Sequence, residues 1–110
     1  MDSAPAFRAH TTTNPRGYRL EGEVDLSNAG VLADLLDPAV QAGGDLTLDL
    51  SGITFMDSTA IQVLLQAGKQ IHDKGTLILY RPGALVANVL KLIKADHVRG
   101  IEIVGAEETG

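Results

Sequence analysis

Hydrophobic positions along this chain switch repeatedly between a period of two and a period near 3.6, the signatures of strand and helix. Phe7 to His10 is a short first strand candidate. Tyr18 to Val24 is a second, in which Tyr18, Leu20 and Gly22 alternate with Arg19, Glu21 and Glu23. Between them, Thr11 to Gly17 holds Asn14-Pro15-Arg16-Gly17 and reads as the connection. Leu46 to Leu50 alternates clearly and predicts a third strand, followed by a loop with apolar anchors over Ser51 to Met56. Thr76 to Tyr80 is almost continuously apolar, as expected for a strand covered on both faces. Ile101 to Val104 is the last strand, and the tail from Gly105 is expected to be loose.

Helical spacing fills the intervals. Val31, Leu32, Leu35, Leu36, Ala39 and Val40 form the apolar face of a first helix, with Asp25 or Ser27 offering an N-cap. Pro38 falls inside that face. An interior proline costs about 3 kcal/mol, so the pattern predicts a break or restart, with Asp37 capping and Pro38 in the first turn. Gly43-Gly44 ends the element. A second helix starts at Asp57 or Ser58, buries Ile61, Leu64, Leu65, Gly68 and Ile71, and turns Gln62, Gln66, Lys69 and Asp73 to water. Gly75 stops it. Pro82-Gly83 opens a third helix with Val86, Val89, Leu90 and Ile93 inward.

This alternation predicts a single α/β domain over roughly residues 6–105, with a mostly parallel sheet, an added N-terminal strand and packed helices. The strands ending near Glu23, Leu50 and Tyr80 then finish at one sheet edge. Each is followed by a helix N-terminus: Asp25 to Asn28, Asp57 to Thr59, and Arg81 to Ala84. Ligands and partners of such sheets bind at that carboxyl edge.

Composition narrows the function. A net charge of −5 argues against a sequence-blind nucleic-acid binder or an anionic-membrane binder. Four aromatics and no tryptophan do not make a base-stacking platform. The absence of cysteine excludes disulfides and thiolate chemistry. The N-terminus does not read as a signal peptide, and the apolar runs are far shorter than the roughly 20 residues of a membrane span. A cytoplasmic protein is expected. No phosphate-binding glycine pattern and no Gly-x-Ser-x-Gly elbow occurs, and His10, His72 and His97 lie far apart. No enzyme, metal or cofactor is expected.

Asp57-Ser58-Thr59 stands out at the predicted edge. All three residue types cap helices. A hydroxyl at a helix N-terminus is also well placed to carry phosphate, because the positive end of the helix dipole tolerates the charge. The two roles are compatible.

These segments resemble a known family. Gly22-Glu23-Val24-Asp25 is similar to the Gly-Glu-Leu-Asp segment of STAS domains (sulfate transporter and anti-sigma factor antagonist). Leu48 to Thr59 resembles that family's strand, loop and phosphorylatable serine, and Leu85 to Val104 its later helix and final strand. The resemblance implies a bacterial switch that binds an anti-sigma factor, often a serine kinase, while unphosphorylated, and so releases a sigma factor. It implies Ser58 as the phosphorylation site and Asp25 as a residue needed near it. The expected partner-binding set at the edge is Asp25, Asn28, Asp57, Ser58, Thr59, Gln62 and Arg81. Ala60-Ile61-Gln62 departs from the family's Gly-Leu-Gly. The alternative reading is an unphosphorylated STAS scaffold, for instance a subunit of a membrane transport complex.

Overall fold

The computed structural model describes residues 7–106. The expectation of loose termini falls mainly on residues outside that range. The elements are β1 (Phe7–Thr13), β2 (Arg16–Val24), α1 (Ala29–Ala42), β3 (Leu46–Met56), α2 (Ser58–Ile71), β4 (Leu77–Tyr80), α3 (Ala84–Leu92), a 3-10 turn (Ala95–His97) and β5 (Ile101–Val104). The strands lie side by side in the order β1-β2-β3-β4-β5. β1 pairs antiparallel with β2, and every other pairing is parallel. This is the α/β architecture expected.

Three strands are longer than their sequence patterns suggest, β2 by Arg16 and Gly17 at its start. β1 continues through the three threonines to Thr13, which pairs with Arg16 across a tight Asn14-Pro15 turn. β-Branched threonine suits a pleated surface better than a loop. β3 continues through Ser51 to Met56, where a loop was expected. Its register against β2 shifts twice, between Arg19 and Glu21 and between Gly22 and Glu23. Each irregularity breaks the period of two while backbone pairing goes on, so the alternation fades but the strand does not.

Leu46, Leu48 and Leu50 of β3 and Leu77 and Leu79 of β4 are buried, as are Leu32, Leu36 and Val40 of α1 and Ile61, Leu64 and Ile71 of α2. Leu65 is only half-buried. α2 sits so close to β5 that a Cβ at Gly68 would overlap the Ile101 side chain. Gly100 just before β5 has φ +91°, and a Cβ there would run into the Gly68 carbonyl. Only glycine serves this double approach.

α1 does not break at Pro38. Pro38 and Asp34 are both exposed, so the Asp34 carbonyl that loses its helical donor lies on the wet side. Leu36 and Val40 hold the helix to the core on either side. Asp37 therefore caps nothing. The C-terminal end is fixed from β2 instead: the Arg16 guanidinium donates to the carbonyls of Ala39 at 3.3 Å and of Gly43 and Gly44 at 2.9 Å each. Three apolar side chains expected inside are exposed. Val31 is turned out from α1, and Val89 and Ile93 from the region of α3, where Ala87 takes an inward place.

Leu64→Ala is expected to cost about 2–5 kcal/mol in urea melts, and a loss below about 0.5 kcal/mol would refute this packing. Pro38→Ala should stabilise by up to about 3 kcal/mol, less the roughly 1 kcal/mol of unfolded-chain entropy that proline removes. A lower urea midpoint for Pro38→Ala would contradict a continuous α1.

Candidate functional site

β2 and β3 end in register, Val24 beside Met56, so Asp25 and Asp57 leave the sheet as neighbours. The Asp57 N–H donates to the Val24 carbonyl at 3.2 Å. One Asp57 carboxylate oxygen accepts the Ala60 N–H at 3.0 Å and so caps α2. The other accepts the Leu26 N–H at 3.0 Å. A single carboxylate thus joins the β2–α1 loop to the first turn of α2.

That loop is also tied internally. Asp25 Oδ1 accepts the Ser27 hydroxyl at 2.6 Å and the Ser27 N–H at 2.9 Å. Asn28 Oδ1 accepts the Asp25 N–H at 2.8 Å, and Asn28 Nδ2 donates to the Glu23 carbonyl at 3.0 Å. Neither Asp25 nor Ser27 caps α1, contrary to expectation. Asn28 occupies the cap position but makes no side-chain cap bond, because its amide is spent on the loop behind it. The Ser27 hydroxyl, then the Ser27 and Asn28 backbone N–H groups, hold the Asp25 carboxyl below the usual carboxylate range.

Ser58 is the first residue of α2 and is exposed. Thr59 is half-buried and lines a groove of about 440 Å³ between α1 and α2, together with Gln62 and Val63 of α2 and Ala33 and Asp37 of α1. Ser58 is therefore the more accessible hydroxyl. Gln62 is exposed one turn further on, at the i+4 position that shares Ser58's face. Asp25, Asn28, Asp57, Ser58, Thr59 and Gln62 thus gather at two adjoining loops and one helix end. Arg81 stands apart from them. It is held at φ +55° at the end of β4, its N–H donates to the Val104 carbonyl at 2.8 Å, and its guanidinium lies 5.4 Å from the centre of the Tyr80 ring.

Sequence reasoning missed two apolar members of this edge. Leu26, whose N–H is bound by Asp57, is 76% exposed, and Phe55, paired with Glu23, is 47% exposed. Leu26 carries a signal, being an apolar residue inside an Asp-Leu-Ser-Asn turn and out of phase with α1. Phe55 read as a loop anchor, and only the strand geometry turns it out. Among the described residues, no cluster of His, Asp or Glu side chains could hold a metal ion.

With this geometry in view, the comparisons assign the class. The family model described as "Mlab, STAS domain" matches residues 8–105. This chain belongs to the STAS domain family. It is 34% identical over 56 residues to the anti-sigma-B factor antagonist of Bacillus subtilis strain 168; the match covers 51% of this chain and 51% of that protein. The chain thus spans about half the length of the curated relative it matches. Among solved structures, an anti-sigma factor antagonist from Mycobacterium paratuberculosis superposes with a TM-score of 0.79 at 18% identity, covering 90% of this chain and 88% of that one. The anti-sigma factor antagonist SpoIIAA in its unphosphorylated form gives 0.67 at 19% identity, covering 96% and 90%. The Bacillus cell fate determinant SpoIIAA in its phosphorylated form gives 0.64 at 16% identity, covering 89% and 90%.

Asp57→Ala removes a cap and a cross-loop bond together and is expected to cost about 2 kcal/mol, with Asp57→Asn, which can keep the cap, in between. Equal urea midpoints for Asp57→Ala and wild type would refute the joint. Because the Asp25 carboxyl is held low, its stabilising contribution is present above the ordinary carboxylate range and is lost as pH falls through its depressed value. The melting temperatures of wild type and Asp25→Asn should therefore converge on acidification, and a gap that widens in acid would contradict this.

Proposed function

We propose that this chain is an anti-sigma factor antagonist of the bacterial cytoplasm, a binding protein and not an enzyme, gated by phosphorylation of Ser58. Its unphosphorylated form holds an anti-sigma factor at the edge made by Asp25, Asn28, Asp57, Ser58, Thr59 and Gln62; Arg81, just past the end of β4 beside Asp49, lies outside that edge. Sequestering that factor frees a sigma factor for transcription. The names of the relatives support the role. Among the described residues, no helix is long and apolar enough to cross a membrane.

The observation that carries the gating is the placement of an exposed Ser58 hydroxyl at the N-terminus of α2, directly after Asp57, whose carboxylate also holds the loop that carries exposed Leu26. A partner that covers Leu26 at this joint covers Ser58 as well. A phosphate there leaves the fold intact, because α2's first N–H groups and dipole favour an anion. The same dianion is costly in a dry interface next to Asp57. A penalty of about 3 kcal/mol weakens binding more than a hundredfold, which is enough for a switch. In this reading the anti-sigma factor is itself the serine kinase that adds the phosphate, docked on the same edge.

Ser58→Ala is expected to bind the cognate anti-sigma factor whether or not the kinase is active. Ser58→Glu should bind at least a hundredfold more weakly, with little change in melting temperature. Asp25→Asn should stay folded at neutral pH but bind or be phosphorylated poorly. Titration calorimetry and phosphopeptide mapping test all three. Phosphate found on Thr59 alone, or nowhere, or a Ser58→Glu protein that binds as tightly as wild type, would defeat the gating and leave a scaffold role.

A further inference from the structure

α3 is apolar on two sides. Val86, Ala87 and Leu90 are buried, and the helix packs on β3 and the 3-10 turn. On the opposite side Leu85, Val89 and Leu92 recur at i, i+4 and i+7, and Ile93 follows. Leu85 is 72% exposed, Val89 39%, Leu92 84% and Ile93 44%. Scattered exposed leucines are ordinary on protein surfaces, whereas a helix-long stripe marks a contact surface. Only Asn88 and Lys91 interrupt the apolar and small residues of α3, and a helix hydrophobic nearly all round is one that is covered on both sides.

The surroundings of the stripe select its cover. Four of the chain's nine Lys and Arg residues, Arg81, Lys91, Lys94 and Arg99, fall between positions 81 and 99, against one acidic residue, Asp96. All four are exposed. The chain as a whole carries −5. The stripe is thus a cationic region on an acidic protein, and its spacing is that of helix-on-helix docking. We propose that the outer face of α3 is a second protein-docking surface, whose occupant is an acidic amphipathic helix of another protein. Its apolar side lies on Leu85, Val89 and Leu92, and its carboxylates face Lys91 and Lys94. An anionic bilayer fits less well, since exposed carboxylates elsewhere, among them Glu23, Asp34, Asp37 and Asp73, would be repelled by it. A second copy of this chain would set Lys91 and Lys94 against their own equivalents. The proposal does not rest on the Ser58 reading.

The test uses the full chain and two synthetic leucine-heptad peptides that differ only in carrying Glu or Lys at their flanking positions. Fluorescence anisotropy gives affinities, and amide shifts in 15N NMR map the contact. The Glu peptide is expected to bind at least tenfold more tightly than the Lys peptide, with shifts over residues 85–93 and weakening as salt rises. Lys91→Glu/Lys94→Glu and Leu85→Ser/Leu92→Ser should each lose tenfold or more, and Ser58→Glu should change nothing. Because the four altered side chains are exposed, melting temperatures should hold; if the serine pair lowers stability, the lysine pair alone decides. Equal affinity for the two peptides, shifts centred elsewhere, stripe-dependent binding to phosphatidylglycerol vesicles in preference to the Glu peptide, or a dimer in sedimentation that Leu92→Ser dissolves would each overturn the proposal.

Discussion

The Asp57 carboxylate is shared between two pieces of chain, the first turn of α2 and the loop before α1, at the point where β2 and β3 end side by side. One oxygen takes the Ala60 N–H in the first turn of α2, and the other takes the Leu26 N–H in the loop before α1. Both oxygens are engaged, so the cap of α2 and the position of the β2–α1 loop are one constraint. Everything at the functional edge is placed by it. Ser58 is oriented because it is the first residue after the cap. Asp25 is close because its loop is tied down one residue further on. Leu26 is pushed outward because its backbone is held inward. A helix cap of ordinary strength thereby acquires a second task, and the segment Met56-Asp57-Ser58 combines structural and functional demands in consecutive residues.

Behind that edge the scaffold has little freedom. At Gly68 the α2 backbone rests on the Ile101 side chain, and the Gly68 carbonyl lies against Gly100 just before β5. Leu46, Leu48 and Leu50 of β3 and Leu77 and Leu79 of β4 are all fully buried. Under the proposed gating, a phosphate at Ser58 would act on what can be desolvated at the rim, the electrostatic form of a switch.

Strand and helix identities were legible because burial imposes period: Leu46, Leu48 and Leu50 alternate, and Ile61, Leu64, Gly68 and Ile71 recur as a helix face requires. The edge was legible in part: the ends of β2 and β3 meet as expected, whereas β4 ends beside Asp49, well short of them, because β3 runs on to Met56. What escaped the sequence depends on partners distant along the chain. Arg16 steadies the end of α1 from β2, so the weakness at Pro38 does not become a break. The irregular register of β3 on β2 erases the alternation over Ser51 to Met56 while the strand continues. Asn28 was recognisable as a polar loop residue, but its use as a latch on Glu23 and Asp25, and not as a cap, is a tertiary fact. Val89 and Ile93 carried the right spacing for an inward face and were assigned to the wrong side, because α3 is apolar in two directions and periodicity alone cannot choose between them.

The departure from the family's Gly-Leu-Gly after the serine acquires a different weight once the side chains are placed. Ala60 is fully buried in the first turn of α2, and its N–H is the group that Asp57 caps. Its methyl group faces the core and adds nothing to the outer surface, and alanine favours the helix over glycine by about 1 kcal/mol. The change at position 60 is thus a gain in local helix stability that a partner does not feel. Gln62 is the opposite case. It is exposed, it shares Ser58's face one turn along, and it borders the groove between α1 and α2. A long amide there occupies space that a glycine leaves open, and it offers a donor and an acceptor in exchange. Of the two glycine replacements, only Gln62 changes the outer surface, so under the proposed function any effect of this departure on partner choice falls on that one side chain beside the groove.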